Sequence, residues 1–416
     1  MSFELDAVRS QFPTLNRKAI FFDNPGGTQI SHSSAARIQR YFMECNANHG
    51  GAFKTSQDSD AMIEEARQAM ADFLNAGRPE EIVFGANMTT LTFNISRSLA
   101  RTFHPGDTIV VTRLDHDANI SPWLMVAEDR GCRIRWVEIH PEDGTLDLED
   151  MQAALQEKPK LVAVGYASNA LGTINPVEKI VEWAHAAGAL VYIDAVQFAP
   201  HGAIDVQKLG CDFLVCSAYK FFGPHLGILY GRYELLDRLQ AYRVRPAPLN
   251  PPGKFETGTG NFEHMAGTLG AIEYFEWLGQ TYGEEYHDDH VKNYSGRALA
   301  LKQAMSTIRA YEATLSKALL DVFQNTPDLT LYGLQDAHKV TQRVPTFSFT
   351  LKGRDPHDIA VRLGEQGIYV WDGNFYALAI TERLNLEDQG GLVRVGAAHY
   401  NSLGEVEKLR EALANL

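Results

Sequence analysis

A short apolar run, Phe213–Cys216, ends at Ser217 and leads to Lys220, a lone lysine set between Tyr219 and Phe221. Gly223, Pro224 and Gly227 follow it. Two further apolar runs also end in polar residues. Leu190–Ile193 ends at Asp194 with Gln197 beyond it, and Thr108–Thr112 opens into Arg113-Leu-Asp-His116-Asp-Ala-Asn119. In an open parallel sheet, ligands bind outside the carboxyl ends of the strands. An amine, a carboxylate and an imidazole would then meet in one crevice.

That set suits pyridoxal phosphate. Its aldehyde needs an amine, which Lys220 would supply as a Schiff base. Its ring nitrogen stays protonated beside a buried carboxylate, a part for Asp194. His116 could stack on the ring. The Met88-Thr89-Thr90 start of an expected helix offers N–H groups and hydroxyls to a phosphate. Each residue alone also has an ordinary reading: a surface lysine, a turn aspartate, a solvated loop histidine, a helix cap. One cofactor accounts for all of them together. A nicotinamide site fits less well, because no GxGxxG follows a strand.

The elements that must position these residues alternate along the middle of the chain. Ile82–Phe84, Thr108–Thr112, Arg133–Ile139, Leu161–Val164, Leu190–Ile193 and Phe213–Cys216 read as strands, several apolar enough to be covered on both faces. Helices are expected over Met88–Ala100, from an N-cap at Ser121 through Pro122 and WLMVAED, and over Glu178–Ala187. Ala247–Gly260 is rich in Pro and Gly and reads as an irregular loop. A helical stretch from Asp288 leads into mixed strands (Val344–Thr350, Leu392–Val395) and helices (Pro356–Gln366, Leu403–Ala414). The expected division is an N-terminal segment, 1–20, packing with the small domain, a large domain, 21–284, and a smaller C-terminal domain, 285–416.

Composition sets the outer limits. The 416 residues are 45% apolar and 22% charged, as in a soluble globular protein. With 38 basic against 52 acidic residues the formal charge is −14, which disfavours nucleic acid and anionic membrane as partners. No run of 18 apolar residues or signal-like start is present, so a cytoplasmic location is expected. Cys45, Cys132, Cys211 and Cys216 form no CxxC, which fits reduced thiols and no metal site.

Asp194-Ala-Val-Gln197 and Ser217-Ala-Tyr-Lys220-Phe-Phe-Gly-Pro224 together resemble the class V aminotransferase family, nearest its cysteine desulfurase and selenocysteine lyase branch. The likeness includes Phe22-Asp-Asn24, Asp115–Asn119, Ser168-Asn169-Ala-Leu-Gly-Thr-Ile-Asn175, Phe255-Glu-Thr-Gly-Thr259 and Arg394 before His399-Tyr-Asn401. It implies an α/β, fold type I architecture: a large domain with a mainly parallel, seven-stranded-type sheet between helices, and a smaller α+β C-terminal domain. It also implies roles. Lys220 would carry the cofactor and shuttle protons. Asp194 would pair with the ring nitrogen, Gln197 and Asn169 would approach the ring hydroxyl side, and His116 would stack. Met88, Thr89, Ser217 and Tyr219 would hold the phosphate, joined by Thr259 from the other subunit of a homodimer. Arg394 would clamp the substrate α-carboxylate, with Asn24 and Tyr376 nearby.

Three departures bear on the reaction. Tyr376 in Val370–Ala377 stands about where the desulfurases carry their persulfide-forming cysteine, and no cysteine follows Cys216. Tyr219 precedes the lysine where histidine is frequent, and Phe53 replaces a histidine near the substrate. A phenol cannot accept sulfur as a thiolate does. The expected activity is therefore C–S lysis or another β-elimination on a small amino acid, with transamination close behind. Persulfide formation on another thiol, or cofactor binding without turnover, are the alternatives.

Overall fold

A computed structural model describes residues 3–416. Strands β1 (Ile82–Gly85), β2 (Thr108–Thr112), β3 (Arg133–Val137), β4 (Leu161–Gly165), β5 (Leu190–Asp194), β6 (Phe213–Ser217) and β7 (Gly227–Gly231) form a seven-stranded sheet. Their order is β1-β7-β6-β5-β4-β2-β3. Strands β3, β2, β4, β5 and β6 pair in parallel. β7 runs antiparallel to both of its neighbours. Every residue of β2, β4, β5 and β6 is buried except Leu190, which is why these segments read as unbroken apolar runs. Between β2 and β4 the winding reverses, since β3 lies outside β2 and the chain returns to place β4 on the other side. A crevice opens at such a point.

Around the sheet, α1 (His32–Glu44), α2 (Lys54–Leu74), α3 (Met88–Ala100) and α4 (Ser121–Arg130) precede α5 (Phe262–Tyr282), which packs against α1 and α2. Helix α4 begins one residue differently from expectation. Ile120 is its N-cap, and the Ser121 hydroxyl instead donates to Asp117 Oδ2 at 2.5 Å. The helix expected from Asp288 is broken. Only His287–His290 makes a turn there, and the chain enters α6 (Gly296–Gln324) through Gly296 at φ +54°, a left-handed conformation incompatible with a continuous right-handed helix.

A second sheet, of β8 (Leu329–Tyr332), β9 (Thr346–Leu351), β10 (Trp371–Gly373) and β11 (Leu392–Gly396), is antiparallel in the order β8-β9-β11-β10. It packs with α7 (Leu403–Ala414) over its own apolar core, which includes Phe347, Val395 and Leu409. Helix α6 serves both cores. Leu301, Met305 and Ile308 belong to the core of the large sheet, and Leu315, Leu319 and Phe323 to that of the small one. The N-terminal segment is likewise divided. Val8, Phe12 and Leu15 enter the larger core, while Ile20–Phe21 pairs with Ile368–Tyr369 and Arg9 bridges to Glu405. No helix among the described residues is long and apolar enough to cross a membrane.

Candidate active site

The carboxyl ends of β2, β4, β5 and β6 surround one cleft. It is lined by Met88, Thr89, His116, Asn169, Asp194, Gln197, Ser217, Tyr219 and Lys220, together with Asn87 and Asp115. Nine residues singled out from the sequence therefore meet, although they come from five separate stretches. Lys220 closes a short turn, Ala218–Lys220, directly after β6 and is only 9% exposed. Its Nζ donates to the carbonyl oxygen of Pro25. Burial, reinforced by the positive charge of Arg394, lowers its pKa to about 7.

Asp194 is the last residue of β5. Its Oδ1 accepts from Val196 N–H at 2.9 Å, and no other hydrogen bond reaches the carboxylate. Burial raises its pKa to about 6, against the pull of the Val196 N–H and of Lys220. His116 accepts at Nδ1 from Ala118 N–H at 3.0 Å, which leaves the proton on Nε2. Burial first, then Lys220 and Arg394, lower its pKa to about 4, so the ring is neutral and suited to stacking.

Helix α3 begins at the cleft as expected. Asn87 Oδ1 takes the Thr90 N–H at 2.8 Å, while the Met88 and Thr89 N–H groups find no acceptor among the described residues. Two free donors at the positive end of a 13-residue helix, with the Thr89 and Ser217 hydroxyls beside them, could cradle a phosphate. Gly227 makes that placement possible. It lies between Gly85 and Ser217 in register, and a Cβ there would fall 2.3 Å from the carbonyl carbon of Asn87. The helix start thus rests directly on the strand. Gly227→Ala must push it away, and the affinity of the apoprotein for pyridoxal phosphate should fall roughly tenfold or more, about the loss of one charge-assisted hydrogen bond. Spectrophotometric titration measures this, and unchanged affinity would show that the helix start is not the phosphate site.

The other assigned residues are placed as follows. Gln197 Nε2 donates to Thr346 Oγ1 at 3.1 Å, tying the cleft to the small domain. Asn169 Nδ2 donates to Phe375 O at 2.9 Å, and its buried Oδ1 has no partner. Arg394, on β11, is buried and bonds to Asp23 Oδ1 at 3.0 Å and Asn169 O at 3.2 Å, with Nε unpartnered. Burial lowers its pKa, opposed by Asp23. Tyr376 is 74% exposed, with its ring 5.7 Å from that of His116 and inclined by 19°.

Asn24 is spent elsewhere. Its amide donates to Phe21 O, Gly396 O and Asn401 Oδ1, and its oxygen accepts from the Tyr400 hydroxyl, leaving no donor for a substrate. Thr259 is exposed on the loop before α5 and does not line the cleft of its own chain. Asp115, Asp23, Gly227 and Phe375 were not singled out as site residues by the sequence reading. Asp115 had a signal, since it immediately precedes His116. Its Oδ1 accepts from Gly165 N–H at 2.5 Å across the gap between β2 and β4, and burial lifts its pKa well above the carboxylate range, with Asp194 adding to the effect.

Residues 20–297 and 293–409 match the family model described as aminotransferase class-V. The chain belongs to the class V aminotransferase family. The family is dependent on pyridoxal 5'-phosphate, and the cleft fits that group: a buried amine, a carboxylate with acceptor capacity to spare, a neutral ring and a helix start with free donors. This class V aminotransferase is 35% identical to aminotransferase-like protein FGM3 of Gibberella zeae, with 99% of this chain and 98% of the relative covered. It is 31% identical to a cysteine desulfurase of Pectobacterium atrosepticum, over 100% and 98% of the two chains. Among solved structures it resembles the apo cysteine desulfurase of Thermococcus onnurineus NA1, with a TM-score of 0.87, 29% identity and 100% and 99% of the chains covered. The cysteine desulfurase CsdA of Escherichia coli follows at 0.83 and 25%, over 100% and 98%. The chain is thus a pyridoxal-phosphate-dependent enzyme of the fold type I architecture, a lyase or a transferase.

Proposed function

We propose that this enzyme acts on a small amino acid through Lys220, by C–S lysis or another β-elimination rather than by persulfide formation on its own cysteine. The observation that carries the reading is the setting of the thiols. Cys211 and Cys216 are buried, and burial pushes both thiols far up. Cys45 and Cys132 lie outside the cleft lining, and burial raises them as well. No thiol is therefore primed as a nucleophile, while the tip residue over the cleft is Tyr376. Treatment with L-cysteine should leave no protein-bound sulfane sulfur, and the Cys45→Ala variant should behave as the parent does. Stoichiometric bound sulfur would overturn this reading.

When bound, pyridoxal phosphate supplies an aldehyde for amine condensation and a ring that spreads negative charge away from a substrate α-carbon. Met88, Thr89 and Ser217 would hold its phosphate, Asp194 its ring nitrogen and His116 its face. Gln197 and Asn169 would approach its hydroxyl. Tyr219 would share in phosphate binding, and its ring lies 4.8 Å from Lys220 Nζ. Arg394 would take the substrate α-carboxylate with its unpartnered Nε. Lys220, whose pKa of about 7 leaves much of it neutral at physiological pH, would then take the α-proton at Nζ. The fate of that proton divides the outcomes. Departure of a β-substituent gives elimination, and delivery to the cofactor's exocyclic carbon gives transamination.

Transamination stands second, supported by the aminotransferase-like description of the Gibberella zeae relative. A panel of L- and D-amino acids, with and without 2-oxo acids, should release pyruvate, ammonia and, from cysteine, sulfide without any 2-oxo acid present. Turnover only with a 2-oxo acid would favour transamination instead. Dimerisation, with Thr259 reaching the phosphate of the neighbouring subunit, belongs to the same proposal.

A further inference from the structure

Three contacts close a triangle around Arg394. Its Nη1 donates to the backbone oxygen of Asn169 at 3.2 Å. The Asn169 amide donates to Phe375 O at 2.9 Å. The Phe375 ring completes the figure, with its centroid 4.4 Å from the Arg394 Cζ. The two turn residues Phe375 and Tyr376 have φ of +58° and +57°, a left-handed conformation that side chains rarely adopt. Such a conformation persists where its surroundings over-determine it. Here Tyr376 N–H donates to Asn374 Oδ1 at 3.1 Å, Ala377 N–H to Asn374 O at 2.7 Å, and Asp117 N–H to Tyr376 O at 2.7 Å. Phe375 is consequently driven inward, 6% exposed, while Tyr376 points out.

We propose that Phe375 is a positioning residue for Arg394: the strained tip sets its ring against the guanidinium and thereby fixes the plane in which the arginine meets a substrate carboxylate. This rests on Arg394 being the α-carboxylate site. A guanidinium is planar, and its donors point along its edges. Asp23 at Nη2 and Asn169 O at Nη1 hold two edges. A ring against the face restrains the plane without consuming an N–H, so Nε stays available. A leucine would fill much of the volume but offer no quadrupole to the cation.

The test uses the holoenzyme and two probes, L-cysteine and L-cysteine ethyl ester, which share an amine but differ in the carboxylate. Dissociation constants come from the change in cofactor absorbance. Phe375→Leu should weaken L-cysteine binding about tenfold, the scale of a desolvated cation–π contact, and leave the ester within about twofold, the scatter expected of a site not involved. Phe375→Tyr, which keeps the ring face, should restore the parent value. Equal weakening of both probes, or unchanged binding of both, overturns the proposal. If Phe375→Leu fails to fold, Phe375→Met gives the same comparison. If Arg394→Ala leaves the parent's preference for the free carboxylate intact, it is the arginine's role that has failed, and the Phe375 result does not bear on it.

Discussion

Lys220→Met should abolish turnover and the protein-bound absorbance of the cofactor while making the apoprotein more stable at neutral pH. The loss of activity follows from chemistry, since no other amine lines the cleft. A fall of at least roughly a thousandfold is expected when the group that both joins the cofactor and carries the α-proton is removed. The gain in stability follows from electrostatics. In the unfolded chain a lysine titrates near 10.5, and in the cleft near 7. Between those values the unfolded state binds more protons, so the parent apoprotein gains stability as pH rises from about 7 to about 10. Below pH 7 the lysine is charged in both states, and the full cost of burying that charge is felt. Methionine occupies similar space without the charge. Its gain should be on the order of 1–3 kcal/mol near pH 7, reduced by loss of the bond to Pro25 O. Thermal melts of both apoproteins across pH 6–10 would show a slope for the parent and a flatter curve for the variant. A variant that is less stable at every pH would contradict the account of Lys220 as a desolvated amine.

Much of this site could be read from strand ends. Lys220, Asp194 and His116 each follow an apolar run that proved to be a covered strand, because period-free apolar segments of five residues fit little else in an alternating chain. Met88 was legible for the same kind of reason, since the helix begins at that residue. Other features depend on partners far along the chain. The Asn24 amide is taken up by Gly396 and Asn401, more than 370 positions away. Gly227 matters through a missing atom, and Phe375 through a backbone conformation that no local signal announces. Helix α5 escaped notice because it is buried on nearly every side, so it lacks the polar stripe that marks an amphipathic helix. The expected helix from Asp288 ran too far because its residues are good helix formers up to Asn293, whereas the turn at Gly296 decides the boundary.

Asp194→Ala should lower kcat by roughly two to three orders of magnitude, the loss typical of removing a fixed electrostatic partner from a dry site. The carboxylate has one hydrogen bond, from Val196 N–H, and otherwise faces the cleft. It is therefore held in place yet left with the capacity to accept a proton-bearing ring nitrogen. Asp194→Asn would keep the shape but not the charge, and should be nearly as damaging. If the asparagine variant retains most of the activity, shape rather than charge is what the site needs. The apoprotein offers an independent check. Burial raises Asp194 from 3.8 to about 6, so between those values the folded state binds more protons than the unfolded one. The parent apoprotein should then lose stability as pH rises from about 4 to about 6, by about 3 kcal/mol at most for a shift of this size. Asp194→Ala should remove that contribution and stand closer to the parent at pH 4 than at pH 7. Cofactor binding should restore the parent at pH 7, because a cationic ring beside the carboxylate compensates the buried charge, and it should do much less for the alanine variant. A parent and variant whose apo stabilities run parallel across this range would mean that Asp194 is not the desolvated carboxylate the cleft presents.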